Sequence, residues 1–117
     1  MRVRDLDVYR RAFRCAVDIG NVSKNWPKDE LYNGLTDQIR RAARGICANL
    51  VEGLAKNGEA EQRRYLNIAI GSAREVQVWL EFAEAHAYIS DAVYKAWTQE
   101  YDEIVRMLMG LMKRREK

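Results

Sequence analysis

The side chains able to do chemistry in this sequence are few and scattered. The one histidine, His86, falls near the end of a helical stretch. That place suits a cap or a surface residue better than a general base. The two cysteines, Cys15 and Cys47, lack a Cys-x-x-Cys spacing and suit small core positions as free thiols. Glu100, Asp102 and Glu103 resemble a carboxylate metal cluster only loosely, because no Glu-x-x-His pair accompanies them. No glycine-rich loop able to cradle a phosphate occurs. The sequence therefore predicts no catalytic residues, no metal and no cofactor.

Arginine is the remaining chemistry. Arg10, Arg11 and Arg14 crowd one arc of a first helix, and Arg40 and Arg44 stand four apart on a second. Arg63, Arg64 and Arg74 lie on a third, and Lys113, Arg114, Arg115 and Lys117 make a basic tail. A guanidinium fork grips phosphate at two points, which an ammonium does less well. The expected phosphate-contacting set is Arg10, Arg11, Arg14, Arg40, Arg44, Arg63, Arg64, Lys113, Arg114 and Arg115. The competing reading is an ordinary solvated surface, since Asp7, Asp18, Asp37 and Glu61 are near enough to pair with several of them. The tail basics could also simply complement the negative end of the last helix.

Composition sets the frame for these residues. Of 117 residues, 48% are apolar and 32% charged, a globular balance. One proline and 7 glycines exclude collagen-like and Pro-rich chains, and two cysteines exclude a disulfide scaffold. No apolar run approaches the ~18–20 residues of a membrane span. The opening residues 1–7 have no apolar stretch of a secretory leader. A soluble cytoplasmic protein is the expectation. Lys and Arg number 20 against 17 acidic residues, a net charge of +3. Residues 1–56 are net +4 and residues 57–117 net −1. That mild excess hints at a polyanionic partner.

Hydrophobic spacing predicts an all-α chain of one domain, with helices over about 5–24, 35–55, 59–86 and 91–113. Trp26-Pro27 stops the first, Asn33-Gly34 and Asn57-Gly58 bracket the second, and Ser90 or Asp91 caps the fourth. Short joins favour an antiparallel up-down-up-down four-helix bundle. The first helix carries two apolar stripes. One is Leu6, Tyr9, Phe13, Ala16, Val17 and Gly20, and the other Val8, Ala12, Cys15, Ile19 and Val22. Together they span roughly 220°, where a bundle helix needs little more than ~100°. Ile68, Val78, Phe82 and Ala85 are a similar excess on the third helix. Another subunit is the expected cover, so a homo-oligomer is predicted.

The second helix predicts a contact. Gly45 in a helix interior costs ~1 kcal/mol against alanine, which close approach of another helix would offset. Gly71-Ser72 is the matching small patch. If the patches face each other, Gln38, Arg41, Asn49, Glu52, Ser72 and Glu75 form a partly buried polar network.

The string Gln38–Gly53, QIRRAARGICANLVEG, resembles the signature of the four-helix proteins encoded in bacterial 23S rRNA intervening sequences. That family includes the accessory variability determinants of diversity-generating retroelements. LDVYRRA at 6–12, WPKDELYNGL at 26–35 and AIGSARE at 69–75 extend the likeness over roughly residues 5–112. Gly45 stands where Ser is usual, Cys47 where Pro is frequent, and Trp26 where Phe is commoner. The resemblance implies an antiparallel bundle assembled as a homopentamer. It also implies binding of structured RNA or RNA/DNA, with docking onto a reverse transcriptase in the retroelement branch. It carries over no catalytic residues. The alternative is an rRNA-insert-encoded or orphan protein-interaction scaffold with no nucleic-acid role; a binder of small molecules in the ring's lumen is a third reading.

Overall fold

The computed structural model describes residues 2–115. Four helices carry the fold, with no strand among the described residues: α1 Asp7–Val22, α2 Leu35–Leu54, α3 Glu59–Ala85 and α4 Asp91–Lys113. α1 is shorter than the 5–24 expectation because the chain tightens into 3-10 turns, Val3–Asp5 before it and Ser23–Asn25 after it. Ser90 caps α4, its Oγ accepting from the Val93 amide at 3.1 Å. α3 ends with Ala87 in the left-handed region, φ 61°. The Tyr88 amide reaches the Ala83 carbonyl there at 2.8 Å. This is the glycine-type helix stop made with alanine, which the sequence did not flag.

One apolar core joins all four helices, an arrangement consistent with a four-helix bundle. Leu35, Ile39, Ala42, Ala43, Ile46 and Leu50 are its α2 contribution, as their spacing predicts. Leu66, Ala69, Ala73, Val76, Leu80 and Ala83 come from α3. Tyr101, Ile104, Leu108 and Leu111 come from α4, at helical steps of three and four. Of the two α1 stripes, Val8, Ala12, Cys15 and Ile19 are buried. Of the other, Leu6, Tyr9 and Ala16 pack half-buried against the core, while Phe13, 54% exposed, and Val17 stay open.

α1 packs against α2 and α4, and α3 packs against the same two helices. α1 and α3 therefore sit on opposite sides of the bundle. Both leave apolar residues in solvent: Phe13 and Val17 on one side, Ile68, Val78 and Phe82 on the other, with Phe82 51% exposed. The described residues fill 45 × 26 × 21 Å, and α3 alone spans ~40 Å of the long axis. Charges placed at the two ends are thus well beyond a screening length of each other.

Two glycines are dictated by close approach. A side chain on Gly34 would sit 2.6 Å from the Glu30 Cα, and one on Gly53 would overlap the Cβ of Tyr65. Gly34 also leaves α2 without a side-chain cap. Glu30 fills that role: its Oε1 accepts from the Leu35 amide at 3.0 Å, and its Oε2 accepts from the Tyr88 hydroxyl at 2.9 Å. The amide bond first, then the phenol, holds the Glu30 carboxyl below the usual carboxylate range. A depressed folded-state pKa means stability that is present above the unfolded carboxylate range and lost as pH falls through the folded value. Glu30→Gln is therefore expected to flatten the acid-induced fall in urea-denaturation stability. The same steepness in wild type and variant would contradict the assignment.

Candidate nucleic-acid interface

The structure divides the arginines expected to hold phosphate into those with internal partners and those without. On the polar arc of α1, Arg10 pairs with Asp7 at 2.7 Å. Arg11 and Arg14 converge on Glu100 of α4 at 3.4 and 3.6 Å, pinning α1 to α4. Arg40 donates from Nε to the buried Ser23 hydroxyl at 2.9 Å and from Nη2 to the Gly20 carbonyl at 3.2 Å. That carbonyl lacks a backbone partner at the α1 C-terminus, and the Ser23 hydroxyl, donating at 3.1 Å, and Arg40 cap it together. Arg63 donates to the Arg115 carbonyl. Arg115 donates to Gln62 Oε1 at 2.7 Å and to the Leu111 carbonyl at 2.8 Å, tying the start of α3 to the end of α4. Arg74 pairs with Asp102 at 3.0 Å.

The rest face solvent. Arg44 is exposed and makes no hydrogen bond or ion pair with any described residue. Lys113 and Arg114 are exposed and likewise lack an acidic partner. Arg64 lies 3.8 Å from exposed Glu61, and its guanidinium stands 5.4 Å over the Tyr65 ring. Lys56 sits over the same ring at 5.3 Å. Such a surface ion pair is worth little in water. Lys117 lies outside the described residues.

Contacts gather these free cations. Gly53 near the end of α2 packs on Tyr65 near the start of α3. The Arg63–Arg115 contact brings the end of α4 to the same place. Tyr9 shares a hollow with Lys56 and another with Arg4 and Arg10, so the start of α1 is there too. One end of the molecule thus presents Arg4, Lys56, Arg64, Lys113 and Arg114. Glu30, Asp37, His86 and Asp91 lie elsewhere, around the opposite helix ends. The same end also carries Asp5, Asp7, Glu52, Glu59 and Glu61, and cations drawn from both halves of the chain exceed them there. That layout can neutralise phosphates in a line or patch without reading bases.

The expected polar network is not assembled. Arg41 turns along its own helix to Asp37 at 3.0 Å instead of crossing to α3. Glu52 and Glu75 are exposed, with no partner among the described residues. Gln38 is half-buried in a hollow lined by Trp79 and His86, with no side-chain bond to the other members. Asn49 donates to the Gly45 carbonyl at 2.8 Å, a local bond one turn back. Of the two small patches only Gly45 and Ser72 meet: a Cβ on Gly45 would stand 3.4 Å from the Ser72 Oγ, while Gly71 faces open space. That distance is ordinary contact, so glycine is not forced at this position. The charged members drop out because each has solvent, or a carboxylate four residues away, at lower desolvation cost.

Among the described residues the remaining reactive side chains stand apart from one another. Burial pushes the Cys15 and Cys47 thiols up to about 11, far from a reactive thiolate. Glu100 turns to Arg11 and Arg14, Asp102 to Arg74 and Glu103 to Arg106. Among the described residues no His, Cys, Asp or Glu group could hold a metal ion. His86 caps α3 and stacks on Tyr88, ring centroids 5.2 Å apart. A further hollow of about 570 Å³ lies between α1 and α2. Phe13, Val17, Gly20 and Cys47 form its walls and Lys24, Arg40 and Arg44 its basic rim. Sequence reasoning missed the structural role of Glu30; a glycine at the α2 cap position with a carboxylate four residues before it is the signal that was available.

A family model described as the 23S rRNA-intervening sequence protein matches residues 4–110. A solved structure from Bacteroides thetaiotaomicron, described as a protein with unknown function from the S23 ribosomal protein family, is 28% identical. The match covers 91% of this chain and 95% of that one, with a TM-score of 0.81. No curated protein matches the sequence. No helix among the described residues is long and apolar enough to cross a membrane.

Proposed function

The chain belongs to the 23S rRNA-intervening sequence protein family, and from that premise we propose a non-catalytic, self-assembling module that binds structured RNA or an RNA/DNA hybrid through its basic end. The observation that carries this reading is the cluster of Arg4, Lys113 and Arg114, exposed and without acidic partners, beside Arg64 and Lys56 on Tyr65. The helices are read as an antiparallel up-down-up-down bundle. Gly53 meets Tyr65 while Gly45 meets Ser72, so α2 and α3 run oppositely. Apolar residues left open on α1 and α3 support self-assembly, and the family resemblance supports five copies. Repeating the basic end around an assembly multiplies phosphate contacts and steepens the salt dependence.

The test is binding of a labelled structured RNA hairpin at two salt concentrations, comparing wild type with Lys113→Ala/Arg114→Ala. Each lost phosphate contact is expected to lower the log–log salt slope by roughly 0.7–0.9. Helix content from circular dichroism controls for fraying of α4. No binding by wild type near physiological salt, or an unchanged slope in the variant, would overturn the reading. Arg40 is a poor choice for this test because its loss removes bonds to Ser23 and to the Gly20 carbonyl that tie α2 to the end of α1.

A second reading is a protein-interaction scaffold with no nucleic-acid role. It is favoured by the internal engagement of Arg11, Arg14, Arg40, Arg63 and Arg115, which leaves fewer free guanidinium groups than the sequence suggests. Docking onto a reverse transcriptase extends the proposal through the family resemblance alone. An adjacent reverse-transcriptase gene with template and variable repeats would favour that role, and a position inside an rRNA gene would count against it.

A further inference from the structure

The α1/α2 hollow and the outer face of α3 are similar in length and opposite in charge. Ile68, Gly71, Glu75, Val78 and Phe82 follow one another at steps of three and four, which places them in one seam along α3. All five are exposed. The seam spans ~21 Å, and the wall of the hollow from Tyr9 to Gly20 spans ~17 Å. Glu75 is at mid-seam and has no partner among the described residues. The neighbouring Arg74 is turned away to Asp102. The hollow has the opposite character: no acidic residue lines it, and Arg44 stands at its rim with no partner among the described residues.

We propose that the α3 seam of one copy fills the α1/α2 hollow of a second copy, head to tail, with Glu75 of the first paired to Arg44 of the second. This rests on the self-assembly part of the reading above and assigns its two faces. Covering either face without the other charge would bury an unpaired ion, which is costly. Pairing a face with itself is disfavoured on the same ground. Two α1/α2 faces would oppose Arg44 and Lys24 to their own copies, and two α3 faces would oppose Glu75 to Glu75. Gly20 and Gly71 fit the arrangement. Each is a helix-interior glycine that faces open space in the single chain. Each costs ~1 kcal/mol against alanine, and close packing of two helices gives that cost a reason. The two faces differ and lie on opposite sides, so the contact repeats from copy to copy and closes as a ring if the rotation permits.

The test uses full chains: Arg44→Glu, Glu75→Arg and the double swap, read by sedimentation and by capture on tagged wild type. Each single reversal is expected to weaken association on the order of tenfold or more. The double swap is expected to assemble like wild type yet fail to capture it, because every mixed contact sets like charges together. Singles that assemble as wild type does, a double swap no better than the singles, or a double swap that captures wild type would each overturn the pairing. A wild-type chain that sediments as one copy defeats the self-assembly reading itself, which separates the two failures. Arg44→Gln and Glu75→Gln give a milder arm, with a smaller loss expected from each.

Discussion

Phe82→Asp is expected to weaken self-association by about ten- to a hundredfold while leaving helix content unchanged. Phe82 is half in solvent on α3, touching its own chain chiefly through Trp79 at a ring separation of 6.0 Å. Its fold contribution is therefore small. In the assembled state the ring would be removed from water, and full burial of a phenylalanine contributes roughly 1.5–3 kcal/mol. Each 1.4 kcal/mol is tenfold in a dissociation constant. A buried aspartate adds a desolvation cost on top of that loss. Phe13→Asp, on the opposite side, should do the same. Sedimentation and circular dichroism check both variants together. An undiminished assembly in either would show that its face is not at the contact.

Gly53→Ala is expected to destabilise the folded chain, against the usual gain from replacing glycine in a helix. The added methyl would overlap the Tyr65 Cβ and stand 3.2 Å from its Cγ. A Cβ cannot swing away as a side-chain tip can, so α2 and α3 must part. Overpacking of this kind costs about 1–3 kcal/mol, several degrees in Tm for a chain of this size. Gly45→Ala on the same helix is the matched control. There the methyl meets Ser72 Oγ at ordinary contact distance, and helix propensity favours alanine by up to ~1 kcal/mol. Thermal melts should drop for Gly53→Ala and hold or rise for Gly45→Ala. Equal effects would contradict the packing described.

The core of α2 was legible in the sequence because Leu35, Ile39, Ala42, Ala43, Ile46 and Leu50 repeat at helical spacing between glycine-marked ends. The excess on α1 and α3 was legible for the same reason: Phe13 and Phe82 lie outside the arcs that one bundle can cover. Arginine roles were not. Arg40 finds its acceptors 17 and 20 residues away, and Arg11 finds Glu100 across 89 residues of chain. Periodicity reports which arc a residue occupies and nothing about which distant carbonyl stands opposite. The Arg41–Glu75 network failed on that point, because a carboxylate four residues away competed for the same guanidinium. The clustering of Arg64, Lys113 and Arg114 at one end likewise needs the order in which the helices pack, which charge counts along the chain do not contain.

The two uncovered faces, on α1 and on α3, are expected to meet in solution. Sedimentation velocity of the wild-type chain across a micromolar dilution series decides it. The expected result is a species of several copies that persists on dilution. A lone 13.6 kDa particle at every concentration would mean that Phe13, Val17, Val78 and Phe82 simply face water.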